Sequence, residues 1–106
     1  MTVTPTRRRN LLRVYGLTAD EWLELIKGGR CPLCEKRYSP TRTPVVEHCH
    51  RTGLVRGAAC APCNYRLGLL HDDDGWLRRA MEYLTNPPAP ALIGEHYVPG
   101  SPPTLA

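Results

Sequence analysis

The stretch VVEHCHRTGLVRGAACAPCN, Val45 to Asn64, decides how this chain of 106 residues is built. It opens on a short apolar run ending in Glu47, His48, Cys49 and His50, and closes on Cys60-x-x-Cys63 followed directly by Asn64. Val45 to His48 and Leu54 to Gly57 read as short strands joined by a turn through Arg51-Thr52-Gly53. A helix is expected from Ala61-Pro62 through Leu70, because proline is tolerated in a first helical turn, whose N–H groups have no partner within the helix. The stretch predicts a hairpin feeding a helix.

Upstream lies a second pair, Cys31-Pro-Leu-Cys34. Two thiolates in such a knuckle cover one side of a tetrahedral ion, and a second pair at Cys60 and Cys63 closes it. Four soft thiolates favour zinc and leave no open coordination position, so this ion is expected to be structural. A rival set of Cys31, Cys34, His48 and His50 fits less well. Its H-x-H spacing is shorter than finger sites use, and it strands Cys60 and Cys63.

Further outward, residues 5–15 predict a short basic helix that Gly16 ends. Thr18 and Glu21 form a capping box for a second helix, with Trp22, Leu25 and Ile26 as its apolar face and Gly28-Gly29 as its stop. Asp72 to Asp74 are expected to cap a last helix whose apolar face uses Trp76, Leu77, Ala80, Met81 and Leu84. Six of the last twenty residues are proline, which predicts an extended or disordered tail. The organisation expected is a basic helical segment over 1–30, a zinc-stapled core over 31–70, a helix over 71–86 and a Pro-rich tail over 87–106. The class is small α+β.

A domain of this size buries a limited core, and a metal staple is the usual remedy. No run approaches transmembrane length, and MTVTPTRRRN has no apolar segment behind its basic residues. The expectation is a cytoplasmic protein with reduced cysteines and no membrane partner. Net charge is +4, and residues 1–56 hold eleven Lys/Arg against five Asp/Glu. Arginine outnumbers lysine twelve to two, and its planar fork suits phosphates. A solvated basic surface and nucleic-acid binding account for this equally; on the second, Arg51 and Arg56, flanking the turn, and Arg7, Arg8, Arg9 and Arg13 are the candidate contacts, binding phosphates in a way that salt weakens.

With the zinc held by cysteines, the residues of the hairpin are free for chemistry. Glu47 and Asn64 offer the hard oxygens that Mg²⁺ or Mn²⁺ accepts. His48, titrating near neutrality, suits proton abstraction from an attacking water. Together they make a one-metal phosphodiesterase site. One condition applies: neighbouring strand residues point to opposite faces, so Glu47 and His48 serve one site only at a strand end or a bulge.

The run VEHCHRTGLVRGAACAPCN, with CPLC upstream, resembles the HNH nucleases of the phage recombination endonuclease VII family. The resemblance covers Cys31 to Leu69, with weaker extensions through YGLTADEWLEL and LGLLHDDDGWLRRAMEYL. It implies a ββα-metal hairpin and helix stapled by the four-cysteine zinc, and a divalent-metal-dependent DNA endonuclease. It also implies His48 as general base, Asn64 and Glu47 as ligands of the catalytic ion, and His50 as the histidine that assists at the phosphate. Two positions depart from the family pattern, Glu47 and Cys49, each standing where an aspartate is usual. The DNA form stays open between duplex, branched and single-stranded, with branched or recombination/packaging DNA one candidate, and a homodimer or a phage packaging or recombination partner is a candidate assembly. Two other readings stay open: a non-catalytic zinc-ribbon module that binds nucleic acid, and a packaging adaptor using the Pro-rich tail.

Overall fold

A computed structural model describes residues 3–100. Its first helix, α1, is Pro5–Tyr15; the Thr4 hydroxyl accepts from the Arg7 amide at 3.1 Å, and Gly16 closes the helix in the left-handed region at φ 69°. The second, α2, is Ala19–Ile26. Its capping box is complete: the Glu21 amide donates to the Thr18 hydroxyl at 3.1 Å, and the Thr18 amide donates to the Glu21 carboxylate at 2.8 Å. The buried face of α2 is Ala19, Trp22 and Ile26. Leu25, expected on that face, is 40% exposed. The i, i+3, i+7 spacing selects a narrower stripe than hydrophobicity alone suggests.

Strands β1 (Pro44–His48) and β2 (Val55–Cys60) form an antiparallel pair, and α3 (Ala61–Leu69) follows β2 without a linker. Residues pair Pro44 with Cys60, Val46 with Ala58 and Glu47 with Gly57; then the register breaks, and His48 pairs with Val55. Arg56 is therefore the extra residue of a bulge. Val46 and Ala58 join Leu11, Trp22 and Ile26 in the core between the hairpin and the first two helices. A second cluster gathers Ala59 with Cys31, Cys60 and Cys63. Each fully buried large side chain contributes roughly 1.5–3 kcal/mol. A core this small leaves room for a metal staple to matter.

Met1–Asp72 and Asp73–Ala106 form two compact units. The second holds α4 (Asp74–Thr85) and α5 (Pro88–Ile93). Asp73 caps α4, accepting from the Trp76 amide at 2.9 Å. The expected apolar face of α4 is largely exposed, including Trp76, Met81 and Leu84. Pro88–Ile93 is helical where an extended tail was expected, since proline suits the first turn of a helix; residues 101–106 of that tail lie outside the described residues. Among the described residues no helix is long and apolar enough to cross a membrane.

Candidate active site

The cysteine knuckle is a small hairpin. Cys31 donates its amide to the Lys36 carbonyl at 2.9 Å, Glu35 returns a bond to the Cys31 carbonyl at 2.8 Å, and Glu35 takes a left-handed φ of 64° to turn the chain. Cys60 ends β2 and is the N-cap of α3, so Cys63 falls within the first helical turn. The Sγ atoms of Cys31, Cys34, Cys60 and Cys63 all lie within 4.8 Å of one another. Thiolates at about 2.3 Å from a tetrahedral ion are about 3.8 Å apart, and Cys34 and Cys60 are separated by 3.8 Å. The four cysteines fit a metal ion, and the histidines are not among them.

The electrostatics agree. Burial opposes ionisation of Cys31, but the amides of Cys60, Cys34 and Leu33 outweigh it and draw the thiol down to about 6. Burial, then the neighbouring thiols, pushes Cys63 up to about 12. Four thiolates so close repel unless a cation joins them. Two arginines also face the sulfurs: Arg42 donates toward Cys34 at 3.8 Å and Cys60 at 3.9 Å, and Arg66 toward Cys63 at 3.9 Å.

At the turn end of the hairpin, the strand end and the bulge that would let Glu47 and His48 serve one site both occur. His48 is the last residue of β1, and the bulge lies beside it. The His48 ring is half-buried, 6.1 Å from the Tyr15 ring and 5.0 Å from the exposed His50 ring. Glu47 is buried, 6% exposed. Cys49, also buried, sits under the turn; the Thr52 hydroxyl, then the Thr52 and Arg51 amides, draw its thiol down to about 7. It is a small residue tied into the turn that carries His50.

Asn64 is half-buried near the start of α3. Three residues on, Leu67 lines a hollow of about 340 Å³ that also holds Glu47 and Arg56. Four residues on, Gly68 lines a hollow of about 360 Å³ with His50, Arg51, His71 and Asp72. Positions three and four apart share a helix face, so Asn64 stands one turn before Leu67 and Gly68 on α3, although it lines neither hollow. Glu47 and Asn64 carry the hard oxygens that Mg²⁺ or Mn²⁺ accepts, but both Glu47 oxygens are bonded to Arg56, so an ion there would have to displace that guanidinium.

Arg56, expected on DNA phosphate, is engaged within the protein. Its Nε donates to both Glu47 oxygens, at 3.0 and 2.9 Å, and its NH2 also bonds Glu47. The same NH2 donates to Asp72 Oδ1 at 2.8 Å and to the His48 carbonyl at 3.3 Å. The bulge explains this: the extra residue leaves the regular alternation. Arg7 is likewise committed, its guanidinium 4.9 Å from the centre of the Trp22 ring. Arg8, Arg9, Arg13 and Arg51 are exposed.

Asp72 is the residue the sequence reading missed. It was expected to help cap α4, a task that falls to Asp73. Its side chain is instead 6% exposed, accepting from the His50 amide at 3.2 Å and facing His50 Nδ1 at 3.4 Å. Arg56, then the His50 amide, hold its carboxyl down to about 2. Glu47, Arg56, Asp72, His50 and His48 thus form one linked chain around the turn.

Arg56→Gln leaves Glu47 buried without its partner, and is expected to lower stability by about 2 kcal/mol, roughly 10 °C in Tm for a domain of this size. Thermal unfolding at pH 7 measures it. Because the folded Asp72 carboxyl is depressed to about 2, its tie to Arg56 is fully present above the ordinary carboxylate range near pH 4. It is lost as the pH falls through the folded value, and the variant should show a shallower acid limb. An unchanged Tm at pH 7 would remove the structural role given to this ion pair.

The model of a protein family described as recombination endonuclease VII matches residues 8–86. The Gene 59 proteins of Mycobacterium phages L5 and D29 are 42% and 41% identical to this chain over 92 residues, covering 84% of it. The chain spans 56% of the length of either relative. A solved structure, the ββα-Me type II restriction endonuclease Hpy99I, is 30% identical with a TM-score of 0.49, covering 79% of this chain and 50% of that one.

Proposed function

The chain belongs to the recombination endonuclease VII family, and from that membership and the geometry of the hairpin we propose that it is a divalent-metal-dependent DNA endonuclease. The observation that carries the reading is the linked chain of Glu47, Arg56, Asp72, His50 and His48 around one turn, on the hairpin that runs directly into the helix bearing Asn64.

His48 takes the proton from the attacking water, its ring held between Tyr15 and His50. His50, exposed on the turn, meets the phosphate. Arg51, in the same hollow as His50, binds an adjoining phosphate. Arg8, Arg9 and Arg13 hold the strand further from the cut, through contacts independent of sequence. Glu47, once released by Arg56, and Asn64 would hold the divalent ion, Mg²⁺ or Mn²⁺, which would supply charge neutralisation at the scissile phosphate. Zinc on Cys31, Cys34, Cys60 and Cys63 fixes the start of α3 against the hairpin and takes no part in the chemistry. The setting that goes with phage relatives is the host cytoplasm, on recombination or packaging DNA.

A second reading draws on the Arg56 contact. With both Glu47 oxygens already bonded to Arg56, the hairpin is also suited to a non-catalytic zinc module that binds nucleic acid. A nicking assay on plasmid, linear, branched and single-stranded DNA, with Mg²⁺ or Mn²⁺ at low salt, separates the two. The nuclease reading expects cutting of at least one form, abolished by EDTA and weakened as salt rises. Binding without cutting of any form gives the second reading; neither binding nor cutting leaves an adaptor role.

A further inference from the structure

We infer that Asp72 is a positioning residue for His50, fixing the tautomer and direction of its ring; its use in catalysis rests on the nuclease reading. Three observations converge. The backbone delivers the carboxylate at a cost, since His71 and Asp72 both adopt left-handed φ values, 51° and 58°. Two successive non-glycine residues in that region persist only where the surroundings hold them there. The delivered side chain is 6% exposed, in a segment whose neighbours His71 and Asp73 are exposed.

The second observation is the division of its two oxygens. Oδ2 takes the His50 amide at 3.2 Å and faces the His50 ring at 3.4 Å, while Oδ1 takes Arg56 at 2.8 Å. An ionised carboxylate only accepts. His50 Nδ1 must then carry the proton, which leaves Nε2 as the unprotonated nitrogen of the neutral ring. The depressed Asp72 carboxyl, about 2, keeps it ionised at every working pH.

The third is the isolation of His50 otherwise. Its side chain is 58% exposed on a turn outside the paired strands. Its ring is near His48, at 5.0 Å between centres, and bonded to Asp72. Without the carboxylate, an exposed histidine samples several rotamers. With it, the amide and ring of one residue are clamped by one oxygen, and Nε2 is presented on the side away from Asp72, where it takes up a proton before it can donate to a phosphate.

The test is long-range ¹H–¹⁵N spectroscopy of the full chain with ¹⁵N-labelled histidine, at about pH 8.5, where an ordinary imidazole is neutral. Wild-type His50 is expected as the Nδ1–H tautomer. In Asp72→Asn the amide presents either a donor to the ring or a donor to Arg56, so His50 should shift to the Nε2–H form or a mixture. In Arg56→Gln it should stay Nδ1–H. The matching activity result is a kcat for nicking roughly tenfold to a hundredfold lower in Asp72→Asn, with KM for DNA within about twofold. A wild-type His50 in the Nε2–H form overturns the inference without any variant having to fold; so does a tautomer that follows Arg56 rather than Asp72. A wild type that cuts no DNA sinks the nuclease reading separately, and the spectrum still decides whether Asp72 positions His50.

Discussion

His48→Ala is expected to lower metal-dependent DNA cutting by about 10²- to 10⁴-fold, the range general-base catalysis supplies, while the chain keeps its full complement of zinc. The two halves of that result test different things. Loss of cutting follows if the ring beside Tyr15 and His50 takes the proton from water. Retention of zinc follows because the four sulfurs that lie together exclude the histidines. The measurement is initial nicking rate on plasmid DNA alongside zinc content of the same preparation. Full activity in the variant would remove His48 from the mechanism. Loss of zinc would instead revive the rival ligand set containing His48 and His50.

Cys60→Ala is the second large effect. Structural zinc in small domains contributes an apparent binding free energy of about 10–16 kcal/mol at pH 7, and that energy is folding energy. Cys60 is 0% exposed and joins β2 to α3. Its loss is expected to release the zinc and abolish cooperative thermal unfolding, followed by circular dichroism. Cys49→Ala is the control: Cys49 is equally a buried cysteine, but lies outside the four-sulfur cluster. It should retain zinc and a cooperative transition. A Cys60→Ala chain that melts like wild type in metal-free buffer would show that the metal is dispensable to the fold.

Features set by neighbours in sequence were legible before any coordinates. Thr18 and Glu21 announce α2 by their spacing, Gly16 ends α1, and Cys60 with Cys63 marks the start of α3. The cysteine cluster was legible too, since ligand count and thiolate chemistry constrain it without knowledge of the path between. Arg56 and Asp72 were not. Nothing in a run of three aspartates distinguishes the one that caps α4 from the one folded back onto His50. Arg56 reads as a surface cation because Gly57 hints at a bulge in this strand without saying which residue is looped out; its engagement with Glu47 exists only once the register has slipped. Leu25 was misplaced for a simpler reason: the helix has more apolar residues than its partner surface can cover.

Cys60 is at once the last residue of one strand, the cap of the next helix and one of four clustered thiols. Beyond the Ala61 amide, which donates to the Thr43 carbonyl at 2.9 Å, the angle between hairpin and helix at that joint rests on the packing around those four thiols, and the position of Asn64, four residues further on, rests on it too. On the proposed nuclease reading, that joint would act as an interlock. A newly made chain would then gain its cutting geometry only once the four thiols have taken up an ion.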